Sequence, residues 1–284
     1  MPEGTGLDLF RKEFPKRFYD VGLGEQHAVT FAAGLACGGI ETRGRDLLEF
    51  PATGLRPDDP RRLPAKIAGG VLPGPRGAGG RRRPTHHGAY DISYTRMMPH
   101  LTIMAPKDEN ELQHMLKTAL NLPGPSVIRY PRGAGVGVPM DNTQKLLPLG
   151  KGEILRDGAD ATLLAYGQPV QSCLEAADQL GREGLRVGVV NARFAKPIDR
   201  DFLLETAARA PLLITVEENT FIGGFGDAVR EVLEGDNIRV RTIALPDSFV
   251  EHGTQAKLRD KVGLSAAKIA ERVKELQRQR LAVK

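Results

Sequence analysis

Short apolar runs alternate with amphipathic stretches from residue 101 to the end, and this predicts an α/β fold with parallel sheets covered on both faces. Two more observations agree. The 284 residues suffice for two domains with cores of their own, and 40% hydrophobic with 26% charged residues is ordinary for a globular chain. Residues 41–84 behave differently and need a separate reading.

The first expected element follows the glycines Gly22 and Gly24, where an apolar, alanine-rich run predicts a buried helix. Residues 101–105 predict a strand. Asp108 is the expected N-cap of a helix to about residue 120, with Glu111 in its first turn. Residues 126–130 form the next expected strand, closed by the turn Pro131, Arg132, Gly133. A Gly- and Pro-bearing linker then leads to a second series.

That series opens with a strand at 161–166. The helix Pro169–Arg182 follows, with Val170, Leu174, Ala177 and Leu180 spaced by three and four. Strands at 186–191, 212–217 and 240–244 alternate with helices at 200–208 and 226–234. A last surface helix at 265–281 turns Ala267, Ile269, Val273 and Leu276 inward.

Net charge is +5, with 40 basic and 35 acidic side chains. The surplus of five lies entirely within 41–84, which has nine Arg and one Lys against five acids. A nucleic-acid partner is therefore not expected from the chain as a whole. Twenty-four of those 44 residues are Arg, Gly or Pro, with Phe50 the one aromatic, so the stretch is expected to form neither helix nor strand. An RGG-like arm would interleave aromatics or repeat RGG units, and neither is present. Cys37 and Cys173 lie far apart without a C-x-x-C or metal-ligand neighbour, so neither a disulfide framework nor a cysteine metal site is expected. No signal segment or 18-residue apolar stretch is present, and a cytoplasmic location without membrane attachment is expected.

Glu25, between the glycine turn and the apolar run, reads either as a solvated helix N-terminal acid or as a desolvated proton carrier. His27 reads as a core or interface histidine rather than a group near the reacting atoms. His86 and His87 read on their own as a turn with solvated imidazoles. Arg132 ends a strand, at the sheet edge where α/β ligands bind, and its planar fork suits a phosphate. Arg129 reads as an ion-pair partner on a sheet face, and Asp91 and Tyr94 as packing or capping groups. Gly223, Gly224 and Gly226 do not meet the G-x-G-x-x-G order and read as allowing close packing at a helix start. The turn His252, Gly253, Thr254 reads as a loop and not as a site.

Three motifs resemble the 1-deoxy-D-xylulose-5-phosphate synthase family of the transketolase superfamily: GLGEQHAVTFAAG at 22–34, PTHHGAYD at 84–91 and VIRYPRG at 127–133. The resemblance implies an α/β fold made of an incomplete thiamine-type pyrimidine-binding domain followed by a complete transketolase C-terminal domain. It divides the chain into 1–137, a linker 138–152, and 153–284. It implies a thiamine-diphosphate transferase that joins pyruvate to glyceraldehyde 3-phosphate with loss of carbon dioxide, feeding isoprenoid, thiamine and pyridoxal synthesis. By the same resemblance Glu25 hydrogen-bonds the cofactor's aminopyrimidine ring, His86 serves proton transfer or substrate orientation, and Arg132 holds the substrate phosphate. The family uses magnesium, is a homodimer, and keeps its diphosphate and magnesium site in a preceding domain. Met1 to Gly6 resembles an internal family segment, so that domain and the first strand and helix of the pyrimidine-binding domain are expected to be missing.

The resemblance stops after Ile40 and resumes at Pro84 across a gap of the family's usual length. Translation of a GC-rich stretch out of frame would give this content, so two compensating frameshifts, in the gene or its sequence record, are the reading of 41–83. No YSTF-type segment is recognisable there, arginine replaces an expected aspartate within 81–83, and the chain has no G-D-G magnesium motif. The isolated chain is accordingly expected to be inactive. Two other readings remain open: a β-type subunit of a split transketolase or 2-oxo acid dehydrogenase, whose partner would carry the G-D-G motif, and a basic nucleic-acid-binding protein using Arg43 to Arg83.

Overall fold

The computed structural model describes residues 7–22, 24–38, 43–45, 66–69, 88–131, 135–251 and 253–282. Helices α1 (Asp8–Glu13) and α2 (Glu25–Cys37) precede strands β1 (Arg43–Arg45) and β2 (Lys66–Gly69). Then come α3 (Asp91–Arg96), β3 (Thr102–Met104), α4 (Glu109–Asn121) and β4 (Ser126–Arg129). The second half contains β5 (Glu153–Arg156), β6 (Ala161–Ala165), α5 (Pro169–Arg182), β7 (Val187–Asn191), β8 (Phe194–Lys196) and α6 (Arg200–Ala208). It closes with β9 (Leu213–Thr220), α7 (Phe225–Val232), β10 (Val240–Leu245), α8 (Gln255–Lys261) and α9 (Ala266–Ala282).

The strands form two five-stranded sheets, ordered β1-β2-β4-β3-β8 and β10-β9-β6-β7-β5. The α/β class is as predicted, but the sheets are mixed rather than purely parallel. β8 pairs antiparallel with β3, and β5 antiparallel with β7, each at a sheet edge. An edge strand needs one partner only, so its direction is not set by a helical crossover.

Strands were not expected within 41–83, yet β1 and β2 pair in parallel there and β2 pairs with β4. A ladder is made by backbone N–H and C=O groups, so an Arg- and Gly-bearing stretch can join it without a side-chain period. The remainder of that stretch lies outside the described residues.

Among the described residues three apolar clusters hold the fold together. The first packs α5 and α9 on one face of the second sheet, with Leu163, Val189, Ile214, Leu180 and Val273 at its centre. The second is shared by both halves: Ile92, Ile103 and Val127 meet Leu164, Tyr166, Val190, Leu213 and Phe225. Tyr166 and Phe225 stack at 5.1 Å between ring centroids. The third seats α4 on the first sheet and takes Phe194 from β8.

Two burial expectations are corrected. Ala267 is exposed and Ala270 buried instead, because the stripe of α9 advances from Ile269 by three and four. Ala32 is the one buried apolar residue of α2, which is half-open along its length rather than buried. The element α2 touches most among the described residues is the three-residue strand β1.

Segment 136–147 lies along one polar face of α4. Asn110 Oδ1 accepts from Asp141 N at 2.8 Å, His114 Nδ1 from Lys145 N at 3.1 Å, and Thr118 Oγ1 from Leu147 N at 2.9 Å. Nδ1 of His114 being the acceptor, Nε2 carries the hydrogen and donates to Asp141 Oδ2 at 3.1 Å.

Leu163 lies fully buried in the central strand β6. Leu163→Ala is expected to cost about 3 kcal/mol through lost transfer energy and a residual cavity, read as a lower urea midpoint at unchanged m-value.

Candidate active site

Gly22 adopts φ +68°, a conformation glycine takes without strain, and Asp20 Oδ1 accepts its N–H at 3.0 Å. This Asx turn leads to Gly24, the N-cap of α2, which has no side chain to cap the helix. Glu25 is the first helical residue, where the helix dipole favours an acid. Its side chain, like all of His86, His87, Arg132 and His252, lies outside the described residues. His27 is exposed and stacks on Phe31 at 5.9 Å, so it is not a core residue; on the outer surface of a half-open helix it has no core to enter.

What the structure does bring together is the chain next to His86 and next to Arg132. Arg129, three residues before Arg132, sits 3% exposed at the end of β4. Its Nε donates to Asp91 Oδ2 at 2.8 Å, and its terminal nitrogen to Gly88 O at 3.4 Å and Glu218 O at 2.9 Å. One guanidinium thus joins the exit of the histidine motif to the approach of the Pro–Arg–Gly turn. Arg129 is the ion-pair partner the sequence predicted. Burial opposes its charge, but Asp91 and Glu218 outweigh that and hold its pKa above the ordinary value. Burial likewise pushes the Asp91 carboxyl up, against the pull of Arg129.

Helix α3, which begins at Asp91, is completed by the second half. Asn219 is fully buried; its Oδ1 accepts Ile92 N at 3.2 Å and its Nδ2 donates to Ser93 Oγ at 2.8 Å. Thr220 N donates to Ala89 O at 2.7 Å. At the other end Lys196 Nζ donates to Arg96 O at 2.9 Å and Met98 O at 2.6 Å. Arg96 donates to Gly223 O and Gly224 O at 2.6 and 2.7 Å. Ile92 N and Arg96 O are among the backbone groups a helix leaves unsatisfied at its ends.

Sequence reading missed Asn219, Thr220 and Lys196. One local signal existed: four polar residues, Glu217 to Thr220, end a strand that begins Leu213, Ile214, Thr215, Val216. A polar run that stays buried must be hydrogen-bonded to something nearby.

The glycines after β9 do permit close packing, as expected. A Cβ on Gly224 would lie 2.4 Å from Glu217 Oε2, and one on Gly226 2.5 Å from Thr242 Oγ1. The space goes to Glu217, whose two oxygens accept Phe225 N at 2.6 Å and Gly226 N at 2.8 Å at the start of α7. Desolvation pushes this carboxyl up to about 7, although both amides pull it down. Glu218 accepts from Arg259 Nε at 3.0 Å.

Among the described residues no cluster of three His, Cys, Asp or Glu could hold a metal ion, and no helix is long and apolar enough to cross a membrane. Neither cysteine is in a disulfide; Cys37 is exposed and Cys173 buried.

Comparison with known proteins assigns this geometry a family. The transketolase pyrimidine binding domain matches residues 71–136, and the transketolase C-terminal domain residues 150–269. A solved structure titled as a split gene transketolase, an inactive β4 tetramer, superposes with a TM-score of 0.80 at 31% identity, over 94% of this chain and 86% of that one. The chain belongs to the transketolase family. In sequence it is 49% identical to 1-deoxy-D-xylulose-5-phosphate synthase 1 of Geobacter sulfurreducens and 44% identical to the synthase of Heliobacterium modesticaldum, over 95% and 97% of this chain. It spans 43% of the length of each of these two relatives.

Two predictions follow from the buried charges. Arg129→Met is expected to cost about 4 kcal/mol by stranding Asp91, and adding Asp91→Asn to recover part of that loss in a double-mutant cycle. For Glu217 the folded carboxyl titrates higher than the unfolded one, so its contribution is complete below about pH 4.5 and is lost as pH rises towards about 7. That loss is on the order of 3 kcal/mol. Urea unfolding at pH 5 and pH 8 should show the stability gap between wild type and Glu217→Gln closing by that amount.

Proposed function

We propose that the chain is the pyrimidine-binding and C-terminal part of a thiamine-diphosphate-dependent transferase that makes 1-deoxy-D-xylulose 5-phosphate and carbon dioxide from pyruvate and glyceraldehyde 3-phosphate. The observation that carries this reading is Glu25 at the first position of α2 behind a left-handed glycine turn, in a chain 43–49% identical to such synthases. An acid that opens a helix whose Val29 and Ala32 join the shared apolar cluster supports this reading. When bound, thiamine diphosphate supplies the nucleophilic carbon and the electron sink.

The chain's own part is to hold and move protons and to orient substrate. Glu25 holds a proton against the aminopyrimidine ring. His86 serves proton transfer or substrate orientation, and Arg132 binds the phosphate with its planar fork. Arg129, Asn219 and Thr220 keep the segments that carry these groups in register. The division into 1–137, a linker 138–152 and 153–284 belongs to the same reading, as do the two frameshifts across 41–83.

The resemblance assigns the ligands of the diphosphate and its magnesium ion to a separate domain, and a second polypeptide region is the proposed source of them. Half-open α2 and the exposed apolar side chains of Leu9, Tyr19, Met97, Ile222 and Phe249 support a covering partner. The reading as a β-type subunit is favoured by one observation: the split-gene chain it resembles is matched over 86% of its length and is described as inactive.

The purified chain is expected to show no synthase turnover and to gain it on addition of a polypeptide carrying the missing cofactor-binding region. A radiometric or coupled assay with pyruvate and glyceraldehyde 3-phosphate tests this. Turnover by the chain alone would contradict the reading. Turnover with a transketolase donor sugar but not with pyruvate would select the split transketolase.

A further inference from the structure

We infer that Glu217 is a proton-operated latch on the joint between the two halves. Uncharged, it lets helix α3 seat against the end of β9; ionised, it works that seat loose. The carboxyl is fully buried, and its two oxygens accept Phe225 N and Gly226 N. The carboxylates around it each have a guanidinium. Asp91 of α3 takes Arg129 of β4 at 2.8 Å, Glu218 takes Arg259 of α8 at 3.0 Å, and Asp227 of α7 takes Arg230. Arg129 also lies 4.0 Å from Glu218. Among the described residues no Lys or Arg nitrogen comes within 4.0 Å of Glu217 itself. Tyr166 of β6 faces the same group, and burial pushes its hydroxyl pKa up, so it brings no charge.

The guanidiniums of Arg129, Arg259 and Arg230 are thus matched by Asp91, Glu218 and Asp227, and Glu217 is the carboxyl left over. Ionised, it would be a buried charge with no counter-ion of its own, which is the costly case. Desolvation accordingly outweighs the pull of the two amides and of Arg129, with Asp227 adding to it, and holds the carboxyl at about 7.

Its place in the chain ties that charge to α3. Just beyond it, Asn219 Oδ1 accepts Ile92 N, and Thr220 N donates to Ala89 O. In the loop that follows, Ile222 O accepts Ser93 Oγ at 2.6 Å, and Gly223 O and Gly224 O accept Arg96. Glu217 fastens the far end of this loop through Phe225 and Gly226, and Gly224 packs directly on its Oε2. An ionised Glu217 gains water only if the loop moves off it, and the loop is tied to Ser93 and Arg96. Ionisation and release of α3 therefore favour each other. With α3 released Glu217 titrates near the ordinary 4.5, and with α3 seated near 7. Seating is firmest below about pH 4.5, weakens as pH rises to about 7, and changes little above that.

The test is hydrogen exchange of the full 284-residue chain at pH 5, 6, 7 and 8, with exposure times scaled to the intrinsic exchange rate. Mass spectrometry reads peptides covering α3 and, as the reference, β7. In wild type the α3 amides are expected to lose about tenfold in protection between pH 5 and pH 7 and little more by pH 8. β7 should stay more protected throughout, which marks local release and not global unfolding. Glu217→Gln cannot ionise and should hold α3 protection constant with pH. Asp91→Asn frees Arg129 to balance an ionised Glu217 and should shrink the loss, so the test stays decisive if Glu217→Gln does not fold. Protection of α3 that is flat with pH in wild type would overturn the latch. So would an undiminished loss in Glu217→Gln or in Asp91→Asn. Equal protection of α3 and β7 at every pH would overturn it too, leaving Glu217 a residue that acts on global stability alone.

Discussion

Six residues of helix cannot hold themselves in water, since the first turn fixes several residues for one hydrogen bond. Helix α3 exists because its end groups are satisfied from across the molecule: Asn219 at its start, Lys196 at its end, and Arg129 on its first carboxylate. The rest of the arrangement depends on this. The same contacts set where the chain emerges from the histidine motif, bring β4 against the end of β9, and close the apolar cluster that both halves share. Removal of any one would leave a buried polar group without a partner, which costs more than the hydrogen bond itself contributes.

A second seam works in the same manner. Glu111, 2% exposed, accepts from Asn191 Nδ2 at 2.9 Å, Arg193 Nε at 2.6 Å and Lys107 N at 2.8 Å. Lys107 and Arg193 then share Glu153. Buried charges of this kind add little net stability over apolar packing, but they penalise every misaligned docking of the two halves. The two seams and β8 together make the C-terminal half a structural part of the first sheet and not an appended module.

Much of the fold was legible because local chemistry settled it. Helix Pro169–Arg182 has the predicted bounds, with proline in its first turn and apolar residues at three and four. Asp108 caps α4 through Glu111 N at 2.7 Å, as its position before an amphipathic run implied. β8 was not legible: Phe194, Ala195 and Lys196 are too few to show a period, and the strand is defined by its pairing with β3. β1 and β2 were hidden because a parallel ladder requires only backbone. For the candidate site, the glycine turn and helix start at Glu25 could be read from sequence. The partner of Asn219 could not, since Ile92 lies 127 residues away.

Strand β8 has a consequence for the order of events during synthesis. The first sheet receives its edge from residues 194–196, and α3 receives its caps from residues 196 to 220. A ribosome-bound chain stopped before residue 220 would therefore leave α3 without its N-terminal caps and the shared apolar cluster exposed. Contacts this distant in sequence slow folding and lengthen the time for which such surface is uncovered. The N-terminal half should thus be the part most dependent on chaperones while the chain is being made, even though it leaves the ribosome first.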